Sequence, residues 1–207
     1  MNLELFLCEN EYIDYSSQNI VEKSKELLLD EQSVYDKAKI AFEFVRDKIH
    51  HSSDIQSNII TSRASSVLKH KTGICHAKAN LLAALLRSQN IPTGFCYQHL
   101  TSAEDDSKGY CLHCFNAVFI DNRWITLDAR GNKKGINAQF SVEEPMVAYK
   151  NRPEYHEYFF EGIWATPDMK TMKLLETAHN LNDILNGIPE FPESKPDIIQ
   201  AEKTAIS

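Results

Sequence analysis

Three residues of different chemistry, Cys75, His113 and Asp128, occur in an order and setting that could carry out nucleophilic catalysis. A cysteine attacks carbonyl carbon as its thiolate. It needs a base to take its proton, and the base needs a group to orient it. Lys71-Thr-Gly-Ile-Cys75 leads into an alanine- and leucine-rich run to Ser88, on which Ala79, Leu82 and Leu86 share a face. That spacing predicts a helix buried over much of its surface, with Gly73 as a flexible turn before it and Asn90 and Pro92 marking its end. Cys75 then sits in the first helical turn. Free backbone N–H groups and the positive end of the helix dipole face its sulfur there, favouring the thiolate. The same N–H groups can stabilise an oxyanion.

The base and its orienter come from a predicted hairpin. Cys111–Ile120 and Arg123–Asp128 alternate as strands, with Asp121-Asn122 as turn residues. A two-residue turn sets Ile120 against Arg123 and Phe119 against Trp124, which carries Phe115 opposite Asp128. His113, two residues from Phe115, then shares a face with Asp128 as its diagonal neighbour, about 7–8 Å away at the backbone. A four-residue loop keeps that pairing. A three- or five-residue loop without a bulge would separate the two faces.

The elements around these residues read as follows. Val21 and Leu27, Leu28 and Leu29 belong to one helix. Ser33 precedes an amphipathic helix over about 34–49, built on Ala38, Ala41, Phe42, Val45 and Ile49. Residues 51–66 are polar and read as loop. A strand starts at Thr93, where Phe95, Tyr97 and His99 alternate with Cys96 and Gln98, and 101–109 is an acidic loop. Tyr155–Trp164 is a further strand candidate. Thr166-Pro167-Asp168 starts a helix that runs through Leu174, Leu175, Ala178, Leu181 and Leu185 to Gly187. The predicted class is α+β: a nucleophile helix packed on an antiparallel sheet. Residues 1–187 form a single domain with a helical N-terminal part, and 188–207 form a flexible tail.

Composition narrows the function. The chain has 207 residues, 43% apolar and 25% charged, and a net charge of −7. That balance, without a Lys/Arg cluster, argues against nucleic acid or an anionic membrane as partner. No apolar run spans a bilayer, and the first ten residues lack the basic start of an export signal. The five cysteines, Cys8, Cys75, Cys96, Cys111 and Cys114, are odd in number. A disulfide framework is therefore not expected, and a reducing cytoplasm fits. Cys111 and Cys114 have a spacing that also occurs in zinc sites, but on a strand they point to opposite faces, as do Cys96 and His99. Neither a metal nor an organic cofactor is expected.

The order Cys, His, Asp on a helix and two adjacent strands resembles the transglutaminase-like branch of the papain-type thiol enzymes. The resemblance covers about residues 40–130. It rests on Ala64-Ser-Ser-Val-Leu with Thr72-Gly-Ile-Cys75, on Leu81 to Pro92, and on His113 through Asp128. Cys75-His-Ala-Lys and Asp128-Ala-Arg-Gly-Asn also resemble a bacterial subgroup described as cysteine proteases. The resemblance implies Cys75 as nucleophile, His113 as base and acid, and Asp128 as orienter, acting on a peptide, a protein or a small amide. It implies cysteine peptidase or amidase activity, with transglutaminase-type transfer to an amine and a non-catalytic scaffold as the alternatives.

Many relatives carry an acid just after the nucleophile, whereas His76, Ala77 and Lys78 follow here. His76 reads as a surface residue, the other reading being a second base. The family's oxyanion donor has no evident counterpart upstream of Cys75. Gln56 is the candidate, against a solvent-facing loop glutamine. Tyr97, Gln98 and the 101–109 loop are candidates to line the cleft. Calcium control does not carry over, because no acidic metal loop is present.

Overall fold

A computed structural model describes residues 2–199. Six helices are seen among them: α1 (Gln18–Leu27), α2 (Val34–Lys48), α3 (Ala64–His70), α4 (Cys75–Arg87), α5 (Met169–Thr177) and α6 (Leu181–Gly187). The strands are β1 (His50–His51), β2 (Thr72–Gly73), β3 (Thr93–Thr101), β4 (Tyr110–Ile120), β5 (Arg123–Leu127) and β6 (Tyr158–Phe159). The last four form an antiparallel sheet in the order β5-β4-β3-β6, while β1 and β2 pair in parallel as a separate ribbon. The fold is α+β, with helices packed on an antiparallel sheet. No helix of the described residues is long and apolar enough to cross a membrane.

The centre of the fold is α4, every residue of which is buried. Its Leu81, Leu82, Leu85 and Leu86 meet Phe42 and Val45 of α2, Val67 of α3, and Phe95, Tyr97 and Val118 of the sheet in one core. Asn116 of β4 donates to the α4 carbonyl of Ala79 at 3.1 Å, which fixes how far the helix slides along the sheet. The amphipathic face of α2 buries Ala38, Ala41, Phe42 and Val45. Ser33 caps α2 by accepting from the Asp36 N–H at 3.1 Å, and its hydroxyl donates to the Asp36 carboxylate at 2.6 Å. The predicted helix around 21–29 ends earlier, at Leu27.

The hairpin has the two-residue turn. Asp121 and Asn122 both take positive φ, 49° and 62°, as a type I′ turn requires. Ile120 therefore faces Arg123, Phe119 faces Trp124, and pairing continues to Asn116 against Leu127.

Several local expectations change. The stretch 51–66 is not loop throughout: His51 pairs with Gly73 in the parallel ribbon, and α3 already starts at Ala64. Gly73 is a strand residue here. A Cβ on it would sit 3.0 Å from both the Ala77 Cβ and the Thr61 Oγ1, so the glycine is needed for close packing. Tyr155–Trp164 gives only the two-residue β6 and a bridge from Trp164 to Phe95. The helix expected from Thr166 to Gly187 is two helices. Asp168 caps the first by accepting from the Thr171 N–H at 2.9 Å, and Asn180 caps the second by accepting from Asp183 at 3.1 Å. Beyond Gly187, Pro189 accepts from the Leu112 N–H, Ser194 accepts from the Trp164 indole, and Asp197 accepts from the Ala165 N–H. The rest of the expected tail, 200–207, lies outside the described residues.

Arg87, at the last turn of α4, is 3% exposed and has no carboxylate partner among the described residues. It donates to the carbonyls of Thr93, Cys8 and Ala165 at 2.6–3.0 Å, joining the N-terminal segment, β3 and the approach to α5. Burial lowers its pKa to about 10. Arg87→Leu strands the buried carbonyls of Thr93 and Ala165 and the part-buried carbonyl of Cys8, so it is expected to lower stability by about 3–5 kcal/mol. Urea unfolding measures this. A loss under about 1 kcal/mol would show the carbonyls finding other partners.

Candidate active site

Cys75 is the first residue of α4. The N-cap before it is Ile74, which has no side chain able to accept from the helix. An apolar N-cap leaves the first-turn amides without the usual Ser, Thr or Asp oxygen. The field of those amides therefore falls on whatever anion lies at Cys75. The residue is 9% exposed, so its sulfur lies beneath the surface but is not sealed.

Asp128 follows β5 directly, and the hairpin register brings it to His113. The distance from His113 Nε2 to Asp128 Oδ2 is 2.8 Å, with both residues almost fully buried. The same Oδ2 accepts from the Ala148 N–H at 2.8 Å, and Oδ1 accepts from the Arg130 N–H at 3.1 Å. Asp128 thus holds two backbone segments as well as the imidazole. With Nε2 committed to Asp128, Nδ1 is the nitrogen left for the hydrogen bond between His113 and Cys75. Tyr149 packs edge-on to His113 at 5.0 Å and accepts from Arg130 Nε at 2.9 Å. The Arg130 fork binds Asp54 through both nitrogens, at 2.5 and 2.8 Å, which ties the loop after β1 to the loop after β5.

Two more imidazoles reach the sulfur. His76 Nδ1 lies 3.4 Å from Cys75 Sγ. The expected surface position for His76 is wrong: the residue is 1% exposed, because α4 is enclosed on every side. Its Nε2 has no partner among the described residues. His51, half-buried at the end of β1, also hydrogen-bonds Cys75. The parallel ribbon puts it beside Gly73, two residues before the cysteine.

These neighbours decide the charge state. Burial alone pushes the Cys75 thiol up. The fields of His76 and His113 and the hydrogen bonds from His113 and His51 more than offset it, holding the thiol well below its ordinary value. Burial likewise pushes His113 down, but the Asp128 carboxylate and the Cys75 thiolate overcome it and raise the imidazole. Thiolate and imidazolium therefore titrate as one pair. The other thiols in the sheet lack such neighbours. Burial raises Cys96 to about 12 and Cys111 to about 11, and pushes Cys114 well up.

Lys78, one turn along α4, is also buried, and desolvation lowers it from 10.5 to about 7. Its Nζ donates to the Ile49 carbonyl at 2.5 Å, which anchors the start of β1 against α4.

The remaining candidates lie as follows. Tyr97 is fully buried, edge-on to Trp164 at 4.9 Å and tilted against His76 at 6.2 Å. Gln98 stands directly opposite His113 in the sheet and is fully buried, its amide donating to the Tyr149 carbonyl and to Asn151. The Tyr97 hydroxyl and the Gln98 Oε1 are buried and have no hydrogen-bond partner among the described residues. Gln56 takes a positive φ of 51°, is exposed, and donates to the Ser53 carbonyl at 2.7 Å within its own turn. The 101–109 loop is closed by the Ser102 N–H, which donates to the Gly109 carbonyl at 2.9 Å. Cys111 and Cys114 are three apart on β4, which sends them to opposite faces. His51 was missed in the sequence, and for His76 the surface reading was preferred to that of a second base; the one signal for His51 was its place in a His50-His51 pair upstream of the cysteine segment.

Residues 22–129, just over half of the chain, match the model of the transglutaminase-like superfamily core. The "Putative Cysteine Protease from Cytophaga hutchinsonii" superposes with a TM-score of 0.52 at 19% identity, over 62% of this chain and 42% of that one. A structure described as a TGase aligns with a TM-score of 0.40 at 17% identity, over 64% of this chain and 35% of that one. Red sea bream transglutaminase aligns at 0.38 and 14%, over 60% and 27%. The chain thus spans well under half the length of these solved relatives. No curated protein matches the sequence.

The depressed thiol gives an expected order of reactivity. Iodoacetamide at about pH 6 should label Cys75 ahead of Cys96, Cys111 and Cys114, which stay protonated until strongly alkaline pH. His113→Ala should move the labelling of Cys75 toward higher pH. Peptide mapping of the alkylated site against pH checks this, and labelling of Cys75 no faster than that of exposed Cys8 would contradict it.

Proposed function

The chain belongs to the transglutaminase-like superfamily, and from that premise we propose that it catalyses thiol-dependent acyl chemistry as a cysteine peptidase or amidase. The observation that carries this reading is the position of His113, bonded to Asp128 on one side and to Cys75 on the other.

The Cys75 thiolate attacks the carbonyl carbon of an amide or ester. A C–S bond forms, and the carbonyl π pair moves onto oxygen. On collapse, the C–N or C–O bond breaks and the His113 imidazolium gives its proton to the leaving amine or alcohol. His113, now neutral, takes a proton from water as the water adds to the thioester. The thiolate leaves, and the imidazolium is restored. Asp128 keeps the ring turned with Nδ1 toward sulfur and balances the imidazolium charge. Hydrolysis is preferred over transfer, because water suffices as acceptor.

The test uses p-nitrophenyl acetate as a generic acyl donor, with intact-mass analysis of the protein and p-nitrophenol release as readouts. The wild-type protein should form a transient acetyl adduct on Cys75, and Cys75→Ala should form none. Asp128→Asn should slow turnover per folded molecule by about 10²-fold or more, since the amide cannot hold the imidazolium. Because Asp128 also accepts two backbone N–H groups, the variant should lose some stability as well. Its rate is therefore compared at equal folded fraction by circular dichroism. An adduct that survives Cys75→Ala, or an Asp128→Asn rate equal to wild type, would overturn the reading. Adding an amine acceptor shows whether amide product competes with hydrolysis.

A further inference from the structure

An attacking thiolate needs a second feature: a donor placed where the carbonyl oxygen becomes negative. The first-turn amides of α4 supply backbone donors, and Gln56, named as a candidate against its reading as a solvent-facing loop glutamine, is indeed exposed and turned into its own loop. His51 is the one side chain at the sulfur whose protonation is set by a backbone donor. The Ser53 N–H points at its Nδ1 over 3.3 Å. A backbone N–H can only donate, so Nδ1 is the acceptor and the ring proton lies on Nε2. That leaves Nε2–H as the edge of the ring that meets Cys75.

We propose that His51 acts as a neutral oxyanion donor, its Nε2–H and the first-turn amides of α4 together receiving the charge that forms on the substrate carbonyl oxygen. The inference rests on the reading of Cys75 as nucleophile.

Three features support a donor rather than a base. The first is the pinned tautomer: a ring whose Nδ1 already accepts cannot also present a free lone pair to the thiol. The second is charge. Burial, the Arg130 guanidinium and the Lys78 amine disfavour the protonated ring; they outweigh the pull of the Cys75 sulfur and of the Asp54 carboxylate, which is itself bound by Arg130, and the pKa is lowered. His113 carries the positive charge at this thiol, with Asp128 behind it, and among the described residues no carboxylate is bonded to His51. The third is rigidity. The ribbon to Gly73, the Ser52 N–H bond to the Gly73 carbonyl at 3.1 Å, and the Lys78 bond to Ile49 hold β1 from both sides. A donor fixed before reaction needs no reorganisation when the charge appears.

No proton is transferred by His51 in this scheme. When Sγ bonds to the carbonyl carbon, the oxygen gains the π pair and binds to Nε2–H. When the intermediate collapses, the pair returns to the carbonyl and the hydrogen bond weakens. His51 remains neutral throughout, and His113 alone moves protons.

The experiment separates thiolate formation from carbonyl attack. Alkylation by iodoacetamide involves no oxyanion, whereas acylation by p-nitrophenyl acetate does. Both rates are followed from pH 5 to 10 in the wild type, in His51→Leu and His51→Met, which remove the donor, and in His51→Gln, whose amide N–H reaches about where Nε2–H stood. The donor-free variants should keep the alkaline plateau of alkylation, with its midpoint moved upward by the lost hydrogen bond. Their acylation should fall about 10²–10³-fold and stay low on that plateau. His51→Gln should recover at least about tenfold of the loss. If His51 only steadies the thiolate, acylation of the donor-free variants returns to wild type once the thiol is fully ionised, and the proposal is overturned. If one donor-free variant does not fold, the other is compared with His51→Gln at the same pH. Loss of the proposed nucleophile's role would look different: wild-type acylation would then survive Cys75→Ala, whatever stands at 51.

Discussion

The arrangement depends on keeping a charged sulfur beneath the protein surface. Removing an ion from water costs several kcal/mol unless nearby charges and donors replace the lost hydration. Around Cys75 the replacement comes from four directions. His113 supplies a full positive charge, backed by Asp128. His76 and His51 add imidazoles, and the uncapped start of α4 adds backbone N–H groups. Removal of any one leaves the rest less able to hold the thiolate against burial.

The scaffold serves that convergence. The groups arrive on separate elements: Cys75 and His76 on α4, His113 on β4, Asp128 beyond β5, and His51 on the short parallel ribbon. Their relative positions are held by a few buried polar ties, not by packing alone. Asn116 joins the sheet to the α4 backbone, Lys78 joins α4 to the approach of β1, and the Arg130–Asp54 fork joins the loops after β1 and β5. Burial lowers Lys78 to about 7, so this tie lies near neutrality with respect to its own proton. Lys78 thus serves position here, while the carboxylate bonded to His113 comes from Asp128.

Much of this was legible in the sequence, for identifiable reasons. A two-residue Asp-Asn turn admits one pairing, so the hairpin register followed from the turn, and with it the meeting of His113 and Asp128. The long helices α2 and α4 were legible because their apolar spacing repeats over three or four turns. The ribbon that carries His51 has only two residues per strand, too few to show any alternation. The burial of His76 was hidden because a helix enclosed on all sides carries polar residues inward wherever a partner exists, and here the partner is the cysteine itself. The break between α5 and α6 escaped because Leu181 and Leu185 continue the apolar spacing across Asn180, whose capping role shows only once the chain turns.

The central claim is that thiolate and imidazolium already exist as a pair in the resting protein. It is tested most directly by the thiolate absorbance near 240 nm, titrated in the wild type and in Cys75→Ser so that their difference isolates one sulfur. The account predicts that this difference is fully developed at pH 6 and disappears only on further acidification, as the pair is protonated. A difference that is absent at pH 6 and grows in near pH 8.5, where an ordinary thiol ionises, would contradict it.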